Sequence, residues 1–310
     1  MITMIKIFTI VKDEIDVVVE WVMYHGHIFG FQNLYIIDNM SVDGTYEKLL
    51  ELQQSHGCNV SQKPHYSMKG VYMTHCIREF CNEKDSDGSY VTPIAYPIDI
   101  DEFITLYDKE THTISCDKEQ IIAYFKDTIL PTIERNEHVF FKANYVMSKI
   151  MSDAPNGDSG YNNAVMECTH GEYANYGNLA KTFFSSKQII EHGIQIDHGN
   201  HYSVCGYYLT SLVLVHYHAR SYEQMCKKIY NNVAGFGYPV NDAFALRSYV
   251  NSSGGHHVQH RINVLNGTFK LSIEQADTNR PSSESHIPLH PVSEFIAQCG
   301  TPRNTCNTPI

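Results

Sequence analysis

Over the first 110 positions, short continuous apolar runs alternate with longer stretches of helical period, which predicts a parallel sheet with crossover helices. The run at 5–11 predicts a buried first strand and 34–37 a second. Between them Val18, Trp21, Val22, His25 and Ile28 share one face of a helix over 16–27, with Gly26 and Gly30 near its stop. Tyr46, Leu49, Leu50 and Gln53 give a helix over 43–56, which Gly57 ends. A short strand at 58–62 and a helix over 72–82 follow.

The apolar segment 90–106 is broken by Pro93, Pro97 and the cluster Asp99-Ile100-Asp101-Glu102. Read as a strand ending at these acids, it places them at the carboxyl edge of the sheet, where open α/β sheets bind ligands. Further on, the pattern predicts a helix over 117–127, strands at 138–147, 181–185 and 207–217, and a helix over 221–233 through Met225, Ile229 and Val233. The stretch 151–178, rich in Gly, Asn, Asp and Tyr, has no period and the length of a functional loop or lid. Residues 275–310, rich in Pro, Ser and Thr, read as a tail that wraps the domain or stays partly disordered. The expectation is an α/β fold in one domain over 1–274, with halves 1–110 and 111–274.

Charge and cysteine content narrow the function. With 23 basic and 34 acidic residues among 310, the net charge of −11 argues against a broad nucleic-acid or anionic-membrane surface. An anionic ligand would need cations gathered locally. The nine cysteines form no CxxC pair, which predicts reduced thiols and a cytoplasmic protein. Residues 1–11 lack the apolar core of a signal peptide, and no run approaches the ~20 apolar residues of a spanning helix.

The chemistry concentrates at predicted strand ends. On an extended strand Asp99 and Asp101 would point the same way and suit a hard divalent cation, magnesium or manganese, bridging phosphate oxygens. The same pair also reads as an acidic strand end in water. Asp38, after the second strand, reads either as a turn residue or as an acceptor for a ribose or a base N–H, while Asp43 reads as a helix cap. His216-Tyr217-His218-Ala219-Arg220 leaves a strand and enters a helix, offering an imidazole for a metal site and a guanidinium for phosphate. Lys181 and Gly199-Asn200-His201 add polar groups, and His256, His257 and His260 read as a surface cluster.

In order, Val11-Lys12-Asp13-Glu14, Glu20-Trp21 with Tyr24-His25 and Gly30-Phe31, Tyr35-Ile36-Ile37-Asp38-Asn39 with Ser41 and Asp43-Gly44-Thr45, His75-Cys76-Ile77 and Asp99-Ile100-Asp101-Glu102-Phe103-Ile104 resemble a known pattern. Lys181, Gly199-Asn200-His201, His216-Tyr217, Arg220-Ser221 and Lys228 extend it. The pattern is that of the glycosyltransferase family 2-like group that includes family 92, formerly domain-of-unknown-function 23, and the resemblance covers about residues 5–230. It implies a GT-A type Rossmann-like sheet whose first half binds a nucleotide-sugar, a UDP-sugar foremost, and whose second half binds a glycan or other hydroxyl acceptor. It further implies inverting glycosyl transfer with Mn2+ or Mg2+. Asp38, Val11 and Glu14 would contact the nucleoside, Asp99 the ribose and metal-bound water, and Asp101 the metal, with His216 as a further ligand. Lys181 and Arg220 would face the diphosphate, with His201 also at the donor site.

Inversion requires a base opposite the leaving nucleotide. Asp153, Asp158, Glu167 and Glu172 are the candidates, and Glu167 is preferred because Val165-Met166-Glu167 resembles a family segment ending in an acid. Two other readings compete: a catalytically silent nucleotide- or carbohydrate-binding protein, and a phosphohydrolase using the Asp99/Asp101 pair. Haloacid-dehalogenase-type phosphatases, however, carry that pair on the first strand, with Thr or Val where Phe103 stands.

Overall fold

The computed structural model describes residues 4–149, 163–202, 206–252, 254–270 and 286–300. The sequence rhythm becomes a parallel set of four strands. These are β1 (Ile5–Val11), β2 (Leu34–Asp38), β3 (Asn59–Gln62) and β4 (Ile94–Pro97), in the order β3-β2-β1-β4. Strands β1, β2 and β4 are apolar on both faces because helices cover both. Those helices are α1 (Val18–Phe29), α2 (Thr45–His56) and α3 (Lys69–Phe80).

The second part of the sheet is mixed. It contains β5 (Glu102–Asp108), β6 (Thr113–Ser115), β7 (Phe141–Ser148), β8 (His170–Ala174), β9 (Lys181–Ser185) and β10 (Tyr208–His216). The path continues β4-β9-β7-β10-β5-β6, in which β9 and β5 run against the other strands, so the sheet is mixed but mostly parallel in direction. Between β6 and β7, α4 (Lys118–Tyr124) runs through a π turn at Phe125–Ile129 into α5 (Leu130–Arg135). Short helices α6 (Ala164–Glu167) and α7 (Ser186–Ile190) follow β7 and β9. After β10 come α8 (Tyr222–Gly235), α9 (Ala243–Leu246) and α10 (Gly255–Leu265).

Three sequence expectations change. The apolar stretch 90–106 is two strands, β4 and β5, joined by a turn at Ile100-Asp101. Proline ends β4, and Glu102 folds the turn back: its amide donates to the Asp99 carbonyl at 3.1 Å while its carboxylate accepts from the Asp99 amide at 2.8 Å. Asp99 and Asp101 therefore do not alternate along an extended strand. Within 151–178, the described part is not irregular, since β8 pairs with β7. The tail read over 275–310 also contributes to the core: β11 (His286–Pro288) pairs with β8, and α11 (His290–Gln298) buries Val292 and Ile296 and sets Phe295 edge-on to Tyr24.

Helix α1 ties the two parts together at the turn. Trp21 Nε1 donates to the Glu102 carbonyl at 3.1 Å, and the Tyr24 hydroxyl donates to the Ile104 carbonyl at 2.7 Å. Both side chains are fully buried, so this anchor fixes where β5 begins and hence where the acidic turn sits. Among the described residues all seven cysteines are free thiols, and no helix is long and apolar enough to cross a membrane.

Candidate active site

The carboxyl ends of β1, β2 and β4 meet the end of β10 and the start of α8. The register pairs Val11 with Asp38, and the Asn39 amide donates to the Val11 carbonyl at 2.7 Å. Asp38 is fully buried. Its Oδ2 accepts from the Ser41 amide at 3.1 Å and from Gln62 Nε2 at 3.0 Å, while its Oδ1 is buried with no hydrogen-bond partner. A buried acceptor left in this state is costly unless a ligand N–H or O–H meets it. Gly44 is the N-cap of α2, and Asp43 just before it accepts from the Thr45 amide at 3.0 Å and from Lys227 at 2.7 Å.

Asp99 lies between two lysines. Lys69 from α3 holds Oδ1, and Lys181 from β9 holds Oδ2 at 2.8 Å while also reaching Glu102 Oε1 at 3.0 Å. Burial alone would raise the Asp99 carboxyl, but Lys181 and Lys69 hold it far below the usual range. Glu102 goes the other way, because burial outweighs the pull of Lys181. Gly70 lets α3 approach this closely: a Cβ there would lie 2.2 Å from the Ile196 carbonyl oxygen. The 197–201 turn that follows places His201, whose Nδ1 is buried without a partner and whose imidazole burial and Lys181 push down to about 4.

Asp101 has different company. The pairing of His216 with Glu102 brings the end of β10 beside it, and the Tyr217 amide donates to the Asp101 carbonyl at 2.9 Å. That bond ends the strand at His216, and the two imidazoles, two residues apart as on one face of an extended chain, both lie beside Asp101. One ligand atom from each of Asp101, His216 and His218 lies within 4.8 Å of the others, and Asp99 is not part of this group. His216 Nε2 stands 3.4 Å from Asp101 Oδ2, Arg220 Nη1 stands 3.6 Å from it, and Lys228 from α8 bonds the same oxygen. Burial would raise the Asp101 carboxyl, but Lys228 and His216 hold it well below the usual range. The Lys228 ammonium, with burial, depresses His218 and keeps its imidazole neutral, as metal ligation requires.

Arg220 is a structural hub. Its guanidinium donates to Glu14, to Asp16 at 2.7 Å and to the Tyr217 carbonyl at 3.3 Å, and its side chain is 1% exposed. Glu14 also accepts from Gln224 Nε2 at 3.1 Å, and burial lifts its carboxyl to about 7 against the pull of Arg220. Lys181 is equally enclosed at 1% exposure. In this structure both cations are therefore engaged by carboxylates, and the Glu14 carboxylate is held by Arg220 and Gln224.

Of the candidate bases, the two among the described residues, Glu167 and Glu172, lie outside this cluster. Glu167 ends the exposed side of α6, and Asn163 at the start of that helix donates to Glu20 at 2.7 Å. Glu172 lies on β8 in an ion pair with Lys149. Asp153 and Asp158 lie outside the described residues. Sequence reasoning missed Lys69, Glu102 as a buried partner, and His218 as a companion of His216. The signal for His218 was its place two residues after His216, a spacing that sets two side chains on one side of an extended chain.

No protein-family model matches the chain, and no curated protein matches it. The resemblance to family 92 therefore rests on the quoted motifs. Among solved structures, the fold is similar to that of Staphylococcus aureus TarS residues 1–349, at 11% identity and TM-score 0.38 over 89% of this chain and 73% of that one. A longer TarS structure matches at 10% identity and TM-score 0.39, covering 85% of this chain and 43% of that one. TarS 1–349 in complex with UDP matches at 10% identity and TM-score 0.36, over 84% of this chain and 70% of that one. At these scores and identities the likenesses do not decide what this chain does.

Proposed function

We propose that the chain is a manganese-dependent inverting glycosyltransferase of GT-A type, moving a sugar from a nucleotide-sugar, foremost a UDP-sugar, to a hydroxyl acceptor. The observation that carries this reading is the convergence of Asp101, His216 and His218 at a strand end, on the same edge of the sheet as the unmet acceptor of Asp38. One carboxylate and two imidazoles suit Mn2+ better than Mg2+, which favours oxygen ligands. When bound, the metal would bridge the diphosphate and offset charge on the departing nucleotide.

The chain's own residues supply the rest. Asp38 Oδ1 suits a base N–H or ribose hydroxyl, with Val11 beside it. Asp99, fixed by Lys69 and Lys181, suits holding the acidic turn in place rather than ligating the metal. Arg220 suits the same role for the 216–220 segment, and both buried cations add positive potential beneath the donor. An acid among Asp153, Asp158 and Glu167 would take the acceptor proton.

The test is UDP-sugar hydrolysis and transfer with a mixed panel of donors and acceptors, run with manganese and then with EDTA. Turnover that needs the metal and disappears in Asp101→Asn supports the reading. Metal-independent turnover that survives in Asp101→Asn would sink it.

A further inference from the structure

The cations around Asp101 differ in how firmly they are held. Arg220 is pinned by Glu14 and Asp16 at 1% side-chain exposure. Lys228 reaches in from α8 at 18% exposure, and its ammonium contacts Asp101 Oδ2 and stands 3.4 Å from His218 Nδ1. The ammonium thus touches two of the three groups that would ligate a divalent cation, and it bonds the carboxylate oxygen that His216 faces. An ammonium and a metal ion cannot share one carboxylate oxygen in a buried site without strong repulsion.

We infer that Lys228 is a tethered counter-ion of Asp101 that a divalent cation must displace, and that a nucleotide diphosphate receives the displaced ammonium. This rests on the manganese reading of the site. Lysine suits such an exchange because its charge sits on a flexible four-carbon stem, whereas the Arg220 fork is fixed by two carboxylates. Metal entry alone strands the Lys228 charge beside a second cation. Diphosphate entry alone brings anionic oxygens beside Asp101 while Lys228 is still engaged. Together each removes the obstacle to the other, so metal and diphosphate bind with positive coupling, and the coupling is reciprocal.

The experiment is a Mn2+ titration followed by electron paramagnetic resonance, with and without UDP, on the full chain and its Lys228→Met variant. A protein-free UDP titration corrects for Mn2+ held by the nucleotide, and circular dichroism confirms folding. In the unmodified protein, saturating UDP should tighten Mn2+ binding by about tenfold or more. Lys228→Met should bind Mn2+ about tenfold more tightly without UDP and show clearly weaker coupling than the unmodified protein, keeping only the part that direct contact between metal and diphosphate supplies. Lys228→Gln provides the same reading if the methionine variant folds poorly. Unchanged or weaker Mn2+ binding by the variants without UDP, with coupling retained, overturns the exchange. Mn2+ binding that persists undiminished in Asp101→Asn overturns the site itself, a failure distinguishable from that of Lys228 alone.

Discussion

Asp99 and Asp101 stand two residues apart in one motif, yet they belong to different regions. Asp99 belongs to the sheet: lysines from α3 and β9 take both its oxygens, and its neighbour Glu102 is buried with Lys181. Asp101 belongs to the 216–228 segment, facing two imidazoles, a pinned guanidinium and a lysine with a solvent edge. The difference teaches that an Asp-x-Asp motif need not mean two equivalent ligands. One acid can hold the turn while the other meets the ion, and the surrounding cations decide which.

The largest effect should come from breaking the sheet-side region. Lys181→Met strands the Glu102 carboxylate, at 1% exposure, together with Asp99. Removing one partner of a buried pair should cost about 3–5 kcal/mol in chemical denaturation, and Glu102→Gln in the same chain should recover part of it. A loss below about 1 kcal/mol would show that this region is not the anchor described.

Next comes metal affinity. Asp101→Asn should weaken Mn2+ binding in the presence of UDP on the order of 100-fold, whereas Asp99→Asn should change it by less than about threefold while lowering stability. Equal losses in the two variants would erase the distinction between the regions.

Smaller for each unit of pH is the effect of a histidine outside both. His25 is fully buried, with Nδ1 3.0 Å from the Trp21 carbonyl and Nε2 accepting from the Ile104 amide at 3.3 Å. Burial pushes its imidazole down to about 3. Below the ordinary value of 6.5 the unfolded chain binds the proton and the folded chain does not. Stability should therefore fall as pH drops from 6.5 towards 3, by up to about 1.4 kcal/mol per unit. His25→Gln should flatten that part of the curve of stability against pH. An unchanged acid limb would place the titration in the site histidines instead. Least of all, Lys48→Ala removes an exposed pair with Glu51 and should shift stability by no more than about 0.5 kcal/mol.

Much of the fold was legible in the sequence because burial is periodic. β1, β2 and α1 carry apolar patterns that only one arrangement satisfies, and the Asp38 and Asp43 turns follow from strand ends and caps. The break inside 90–106 was harder, since Tyr96, Ile98, Ile100 and Phe103 are all buried and hydrophobicity alone runs through the turn. The composition of the tail left wrapping and partial disorder both open, and in its described part Ile287, Leu289, Val292 and Ile296 are all buried against the domain. In the site, residue types were legible and partners were not. Lys181 reads as a phosphate contact until Asp99 and Glu102 are seen to enclose it, and His218 reads as one more polar residue until the 216–218 spacing is seen to set it with His216 beside Asp101. Such pairings join residues more than 200 positions apart, as Arg220 and Gln224 are from Glu14, and no local rule specifies them.

The most direct test is a crystal grown with manganese and UDP, with anomalous scattering collected at the manganese edge. The account expects one manganese peak within coordinating distance of Asp101, His216 and His218, the UDP base at Asp38, and Asp99 still held by Lys69 and Lys181. A peak ligated by Asp99 with His216 and His218 turned away, or UDP bound with no manganese at Asp101, would contradict it.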